Sequence, residues 1–390
     1  MSKKVIILTV QKAPNYGASL QAYALYKFIS NKGCDTQVMD LLRPVHKGYK
    51  AEKGFYSFKY LDEGLCEKIK RTLIRPTKTN IQRFLGTNHS FQVMRKYAKE
   101  IRTRKERFAE FDDMISYTKP YTIKELYSNP PIADVYITGS DQLWNPTQPY
   151  PLEPFFLTFA KGKGKRISYA TSIGVSELSD FVKSKFRKWL VGYDALSLRE
   201  ESAVDIIQEL TDAPVERCCD PTFLIEKEEW NHLADKRLIE EPYILIFTLA
   251  HSQELYEYGC KLREKTGLKL VVLTDPLPSK ETVNEHCIVD AGPRQWLSLI
   301  KYADVVLTNS FHGSVFSVIF HKQVKTIIQN NRGTRIINLF KELDMNDCLL
   351  DSANINGIGI PSINYAEVDT SFEKMRKNGI RFLTEKLFQC

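Results

Sequence analysis

The sequence predicts a doubly wound α/β protein of two domains, and three features carry that prediction. Short apolar runs of strand length alternate with helical stretches along most of the chain, the pattern of parallel strands covered on both faces. A length of 390 residues exceeds what one hydrophobic core organises, since cores usually stop growing near ~250–300 residues. The composition, 43% hydrophobic and 26% charged with 19 Gly and 17 Pro, supports sizeable cores and excludes collagenous, low-complexity and disordered classes.

The elements follow in order. Lys4 to Val10 reads as a strand, and Asn15 to Ile29 as a helix with apolar residues at Leu20, Tyr23, Ala24, Tyr26 and Phe28. Asp35 to Met39 is a second strand. A basic helical insertion, about residues 43–119, then interrupts the pattern until Ala133 to Thr138 resumes it. Further strand-like runs lie at Arg166 to Ala170, Ala195 to Leu198, Tyr243 to Leu249, Lys269 to Thr274, Asp304 to Leu307 and Val324 to Ile328. Cys219-Asp220-Pro221-Thr222, an acidic helix-like stretch and Pro242 mark a boundary. The expected division is residues 1–225 for the first domain, 226–365 for the second and 366–390 for an amphipathic C-terminal helix. No internal repeat appears.

The formal charge of +8 is uneven: residues 43–119 hold 19 Lys and Arg against 9 Asp and Glu, and the rest of the chain is slightly acidic. A solvated helical face is the plain reading of that segment. The sharper one is a surface for anionic membrane or a lipid-pyrophosphate-linked substrate. No nucleic-acid-binding module accompanies the charge, so a nucleic-acid partner is not expected. The apolar runs fall far short of the ~20 residues needed to span a bilayer. Met1-Ser2-Lys3-Lys4 leads into a strand without a signal peptide's apolar stretch, so a cytoplasmic location is expected. Eight cysteines without a C-x-x-C pair and seven histidines without H-E-x-x-H spacing predict neither a disulfide framework nor a tightly held metal.

In open parallel sheets, ligands bind at the carboxyl ends of strands, and four strand ends carry candidate groups. At the first, Asn15, Gly17 and Ser19 open a helix whose N–H groups suit an anion, or serve simple capping. The segment lacks G-x-G-x-x-G and Walker spacing, so no nucleotide site is indicated. At the second, Gly139, Ser140, Asp141 and Gln142 bring donors, a hydroxyl and a carboxylate together, with Trp144 either stacking on a sugar or anchoring the loop. At the third, Arg199 is placed to grip a carboxylate or phosphate, unless it is spent on Glu200 or Asp220. At the fourth, Asn309 and Ser310 precede His312 at a helix N-terminus, which makes His312 the best acid/base candidate against the alternative of a structural histidine. Arg332 and Arg335 follow on the next loop.

Together these segments resemble bacterial polysaccharide pyruvyl transferases. Asn15 to Leu25, Thr138 to Asn145, Ser197 to Ser202, Asp220-Pro221 and Thr308 to Gly313 occur in the family's order and rough spacing, over about residues 5–330. The resemblance implies a GT-B-like fold, two Rossmann-like domains facing a cleft. It implies transfer of the carbon skeleton of phosphoenolpyruvate to a sugar of a capsular, exopolysaccharide or cell-wall precursor, forming a cyclic pyruvate ketal and releasing phosphate. His312 matches the family's catalytic histidine and Arg199 its first-domain arginine. Some members carry Arg two positions before that histidine, where this chain has Ser310, and Arg332 is the expected second anion-binding arginine.

Phosphoenolpyruvate is then a donor substrate and no cofactor is expected. The acceptor is expected to be a lipid-linked oligosaccharide, with peripheral contact at the inner membrane face. Two other functions fit the same residues: a GT-B glycosyltransferase using a nucleotide sugar, and a non-catalytic carbohydrate-binding protein.

Overall fold

The computed structural model describes residues 2–44, 46, 48–52, 55, 57–60, 94–249, 251–274, 286–328, 333–350, 357–360 and 362–388. The apolar runs form two parallel sheets. The first contains β1 (Lys4–Leu8), β2 (Asp35–Leu41), β3 (Tyr117–Tyr121), β4 (Val135–Thr138) and β5 (Lys165–Ser168), in the order β3-β2-β1-β4-β5. A pair, β6 (Leu196–Leu198) and β7 (Val215–Arg217), continues it through bridges Ile167 to Ala195 and Thr171 to Leu198. The second contains β8 (Tyr243–Thr248), β9 (Lys269–Thr274), β10 (His286–Ile288), β11 (Val305–Thr308), β12 (Gln323–Ile327) and β13 (Leu349–Leu350), ordered β10-β9-β8-β11-β12-β13. Both sheets reverse direction beside their first strand, between β1 and β4 and between β8 and β11. Those are the topological switch points where a doubly wound sheet opens a crevice.

The central strands are buried on both faces, Val5 to Leu8 and Val305 to Thr308 entirely so, because helices cover each side. Four strands escaped the sequence reading: β3, β7, β10 and β13. They are two to five residues long, too short for a periodic signal. β3 is an edge strand, which is where its Pro120 is tolerated.

One apolar core runs through both lobes. The Tyr16–Asn31 helix lies at its centre. Tyr16 stacks on Trp296 with ring centroids 5.6 Å apart and donates its hydroxyl to the Ala291 carbonyl at 2.9 Å. The Tyr365–Phe388 helix returns from the second sheet to the first lobe, packing Phe382 near Tyr169 and stacking Phe372 on Phe223. Gly379 permits this approach, since a Cβ there would meet the Tyr169 hydroxyl at 2.5 Å.

The basic insertion needs a correction where it is described; residues 61–93 lie outside the described residues. Its end supplies β3 to the first sheet. Its Ala98–Asp112 helix buries Arg104, Phe108 and Phe111, so it is not merely a solvated face. Arg104 donates to the Pro14 carbonyl at 3.2 Å, with its guanidinium 5.0 Å from the Tyr16 ring centroid. Arg107 reaches the other lobe, donating to both the carbonyl and the carboxylate of Asp290 at 2.9 and 2.8 Å. The helix thus ties the two lobes together. Among the described residues, no helix is long and apolar enough to cross a membrane.

Candidate active site

The two switch points face each other, and the helix starts beside them meet at one residue. After β11, Ser310 caps the Phe311–Ile319 helix by accepting from the Gly313 N–H at 3.2 Å. Asn15 does the same for the Tyr16–Asn31 helix, accepting from Ala18 N–H at 3.0 Å. The second residue of one helix is His312 and the second of the other is Gly17. A Cβ on Gly17 would land inside the imidazole, closest to Nδ1. Glycine here makes room for the histidine at the seam between the lobes.

His312 is almost fully buried, with Nε2 3.5 Å from Oδ2 of Asp220. The same carboxylate oxygen accepts from Arg199 Nη1 at 2.7 Å and from the Ser140 hydroxyl at 3.1 Å. Its other oxygen caps the Pro221–Leu224 turn, accepting from the N–H and hydroxyl of Thr222 at 3.1 and 2.9 Å. Burial alone would raise the pKa of Asp220, but His312, Arg199 and the Thr222 N–H hold its carboxyl well below the usual range. An ionised carboxylate beside an imidazole orients the ring.

The family model for polysaccharide pyruvyl transferase matches residues 15–327. The chain belongs to the polysaccharide pyruvyl transferase family. A comparison with curated proteins found no match. Solved structures resemble the fold at low identity. They include Arabidopsis thaliana UGT89C1 complexed with quercetin, at 12% identity and TM-score 0.49, covering 99% of this chain and 100% of that one. The N-terminal domain of Candida albicans trehalose-6-phosphate phosphatase is 11% identical with TM-score 0.49, covering 99% and 97%. The UDP-GlcNAc 2-epimerase from Methanocaldococcus jannaschii is 13% identical with TM-score 0.46, covering 98% and 99%. The architecture, two doubly wound sheets with opposed switch points, is the GT-B-like one that membership implies.

The cleft that holds His312 in this family member is lined by Asn15, Asp141, Gln142, Asn309, Ser310 and Arg335. Asp141 adopts a left-handed conformation, φ 76°, costly for a residue with a Cβ and kept where its surroundings enforce it. Gln142 accepts from the Asn145 amide at 2.9 Å, and Asn309 accepts from the Leu249 N–H at 2.9 Å across the β8–β11 switch point. Ser140 lies deeper, on Asp220. Gly139 is a packing residue against Thr9 and Leu25, and Ser19 is buried with its hydroxyl directed at the Ala13 carbonyl.

Two expectations change. Trp144 does not stack on a sugar: it is fully buried, stacked on Phe156 with centroids 4.4 Å apart, and its indole N–H is spent on the Phe155 carbonyl at 2.9 Å. Arg199 is largely committed inside the protein, to Asp220 and to Glu200 at 3.3 Å, leaving only Nη2 without a partner. Arg332 lies outside the described residues.

Its neighbour Arg335, one of the cleft's walls, is the cation the structure offers there. Among the described residues, Arg335 makes no ion pair. Burial, with Arg199 nearby, pushes its guanidinium down to about 10. Its Cζ lies 5.5 Å from the Phe311 ring centroid, and that of Arg199 lies 4.6 Å from the same ring. Sequence reasoning named Asp220 as a possible partner of Arg199 and as part of a family motif, but not as a partner of His312. Asp220 follows β7 by three positions, a strand end too short to show in the sequence, so the strand-end rule finds it only once the structure is known.

Substituting Gly17 with Ala is expected to push the imidazole off this seam. Because small misplacements of reacting groups are costly, turnover should fall about a hundredfold with the fold retained. Steady-state rates beside a thermal melt check this; a rate equal to the unsubstituted protein would mean His312 can move without consequence.

Proposed function

We propose that the protein transfers pyruvate from phosphoenolpyruvate to a sugar acceptor, with His312 as the proton-transfer group. The observation that carries this reading is the seam itself, where one buried histidine held by an ionised Asp220 shares a cleft with Arg335, a cation unpaired among the described residues. The family membership supplies the reaction class. The donor has a carboxylate and a phosphate, both suited to guanidinium and helix-terminal donors.

The chemistry proceeds by proton transfer to the methylene carbon, which leaves an oxocarbenium-like centre at C2. A sugar hydroxyl oxygen attacks C2 and gives up its proton. The bond from C2 to the phosphate oxygen then breaks, the phosphate leaving with the electron pair. A second hydroxyl closes the ring and loses its proton. The methyl group gains one hydrogen, the released phosphate carries the other, and no water or oxidant is consumed. His312 gives and takes protons in these steps, which requires both of its protonation states to be accessible. Asp220 orients the ring that carries them.

Arg335 takes the anion-binding role that some members give to an arginine at the position of Ser310. That hydroxyl instead caps the helix carrying His312. Arg335→Ala should raise KM for phosphoenolpyruvate about tenfold to a hundredfold, the usual worth of a hydrogen bond to a charged group, with partial recovery in Arg335→Lys. The direct test is phosphate release from phosphoenolpyruvate with a panel of lipid-linked oligosaccharides, and mass spectrometry for an acceptor that has gained pyruvate and lost water. Binding of nucleotide sugars, with neither phosphate release nor phosphoenolpyruvate binding, would replace this reading with glycosyl transfer. Carbohydrate binding without turnover of either donor would indicate a non-catalytic protein.

A lipid-linked acceptor is supported by one surface feature. Arg95, Lys96, Lys99, Arg102 and Lys105 are exposed on and just before the Ala98–Asp112 helix, a basic stripe able to face anionic headgroups.

A further inference from the structure

A second chamber lies behind the His312 cleft. Phe311 and Arg335 belong to the walls of both. Its other walls come from the end of β6, the end of β7, the Thr334–Glu342 helix and the C-terminal helix. Three sets of side-chain donors converge on it without partners among the described residues. Arg199 Nη2 is buried and unbonded, on a side chain only 4% exposed. The Arg335 guanidinium and the Asn338 amide add to it from positions three apart on one helix, hence from one face. Of the carboxylates present, Glu200 and Asp220 pair with Arg199, with Glu200 Oε2, like Arg199 Nη2, buried and unbonded, and Glu342 pairs with Arg217 at the chamber's partly exposed side. Arg335 is the cation there that makes no ion pair among the described residues.

We propose that this chamber is a phosphate-binding pocket that receives the phosphate group released in the reaction, with the Phe311 ring as the partition between it and His312. Three donor groups, Arg199 on one side and Arg335 and Asn338 on the other, match the several terminal oxygens of a tetrahedral phosphate; a planar carboxylate has only two to offer. The assignment rests on the pyruvyl-transfer reading for the origin of the phosphate, but binding itself needs neither donor nor acceptor. The full chain is titrated calorimetrically with inorganic phosphate and, separately, with pyruvate as a carboxylate without phosphate.

Phosphate should bind saturably and Asn338→Asp should weaken it about tenfold or more, since a carboxylate would then face the anion. Asn338→Gln should retain it, and pyruvate binding should be unchanged in both variants. Thermal melts confirm folding, and the Gln variant carries the comparison for a donor that is moved but not reversed in charge. Absence of saturable phosphate binding, or equal affinity in the unsubstituted protein and Asn338→Asp, overturns the proposal. Phosphate binding lost in Asn338→Asp but with no turnover of phosphoenolpyruvate on any acceptor would keep the pocket and remove the reaction assigned to it.

Discussion

His312→Asn is expected to lower phosphate release from phosphoenolpyruvate by about 10²–10⁴-fold, the usual contribution of a positioned acid/base group. At about 1.4 kcal/mol per decade, that is about 3–5 kcal/mol of transition-state stabilisation. The loss should fall on kcat, with KM for phosphoenolpyruvate little changed, because the anion-binding guanidinium is on Arg335 and the helix start is held by Ser310 rather than by the imidazole. The fold should survive, since His312 sits at the seam with Gly17 and not within the apolar core. In deuterated water, the methyl group of the ketal should carry one deuterium, reporting the proton delivered to the methylene carbon. A variant that releases phosphate at the unsubstituted rate would take His312 out of the mechanism, whatever the acceptor.

Asp220→Asn should cost both stability and rate. Its carboxylate is fully buried and shared by Arg199, Ser140 and His312. Removing one partner of a buried ion pair leaves the other charge uncompensated, which typically costs about 3–5 kcal/mol. Glu200 remains beside Arg199, so the lower end of that range is expected in urea unfolding near neutral pH. The pH dependence has a definite sign.

The folded carboxyl is held below its ordinary value of about 3.9, so its stabilisation is fully present above that value and is lost as pH falls through the depressed one. The stability gap between the two proteins should therefore be widest at neutral pH and narrow in strong acid. Turnover should fall about a hundredfold or more, because the imidazole loses the carboxylate that orients it. Equal stability of the two proteins from neutral to acid pH would show that Asp220 is not ionised in the fold.

Strand ends were the productive signal in the sequence. The rule that ligands gather where parallel strands finish selected His312, Arg199, Asp141, Gln142 and Asn309, and the sheets bring these to one region because both switch points face inward. The same rule could not separate a ligand-facing side chain from one that turns back. Trp144 and Ser140 follow the same strand, yet one enters the core and the other bonds Asp220. Periodicity likewise revealed the long central strands and missed β3, β7, β10 and β13, whose few residues sit at or near sheet edges, where little apolar surface is buried.

The order of strand-like and helical runs in the sequence was enough to determine two doubly wound lobes, and five short motifs in order were enough to indicate the family. Those properties are local, written in periods of a few residues and in the residue types at each turn. What tertiary structure alone decided is partnership. Asp220 meets His312 92 positions away in the chain, Gly17 makes space for the same ring from the other lobe, and Arg199 is spent on internal carboxylates while Arg335 is left available among the described residues. Whether a charged side chain binds a ligand depends on which opposite charges already surround it. That is set by packing across lobes, over distances that no local pattern encodes.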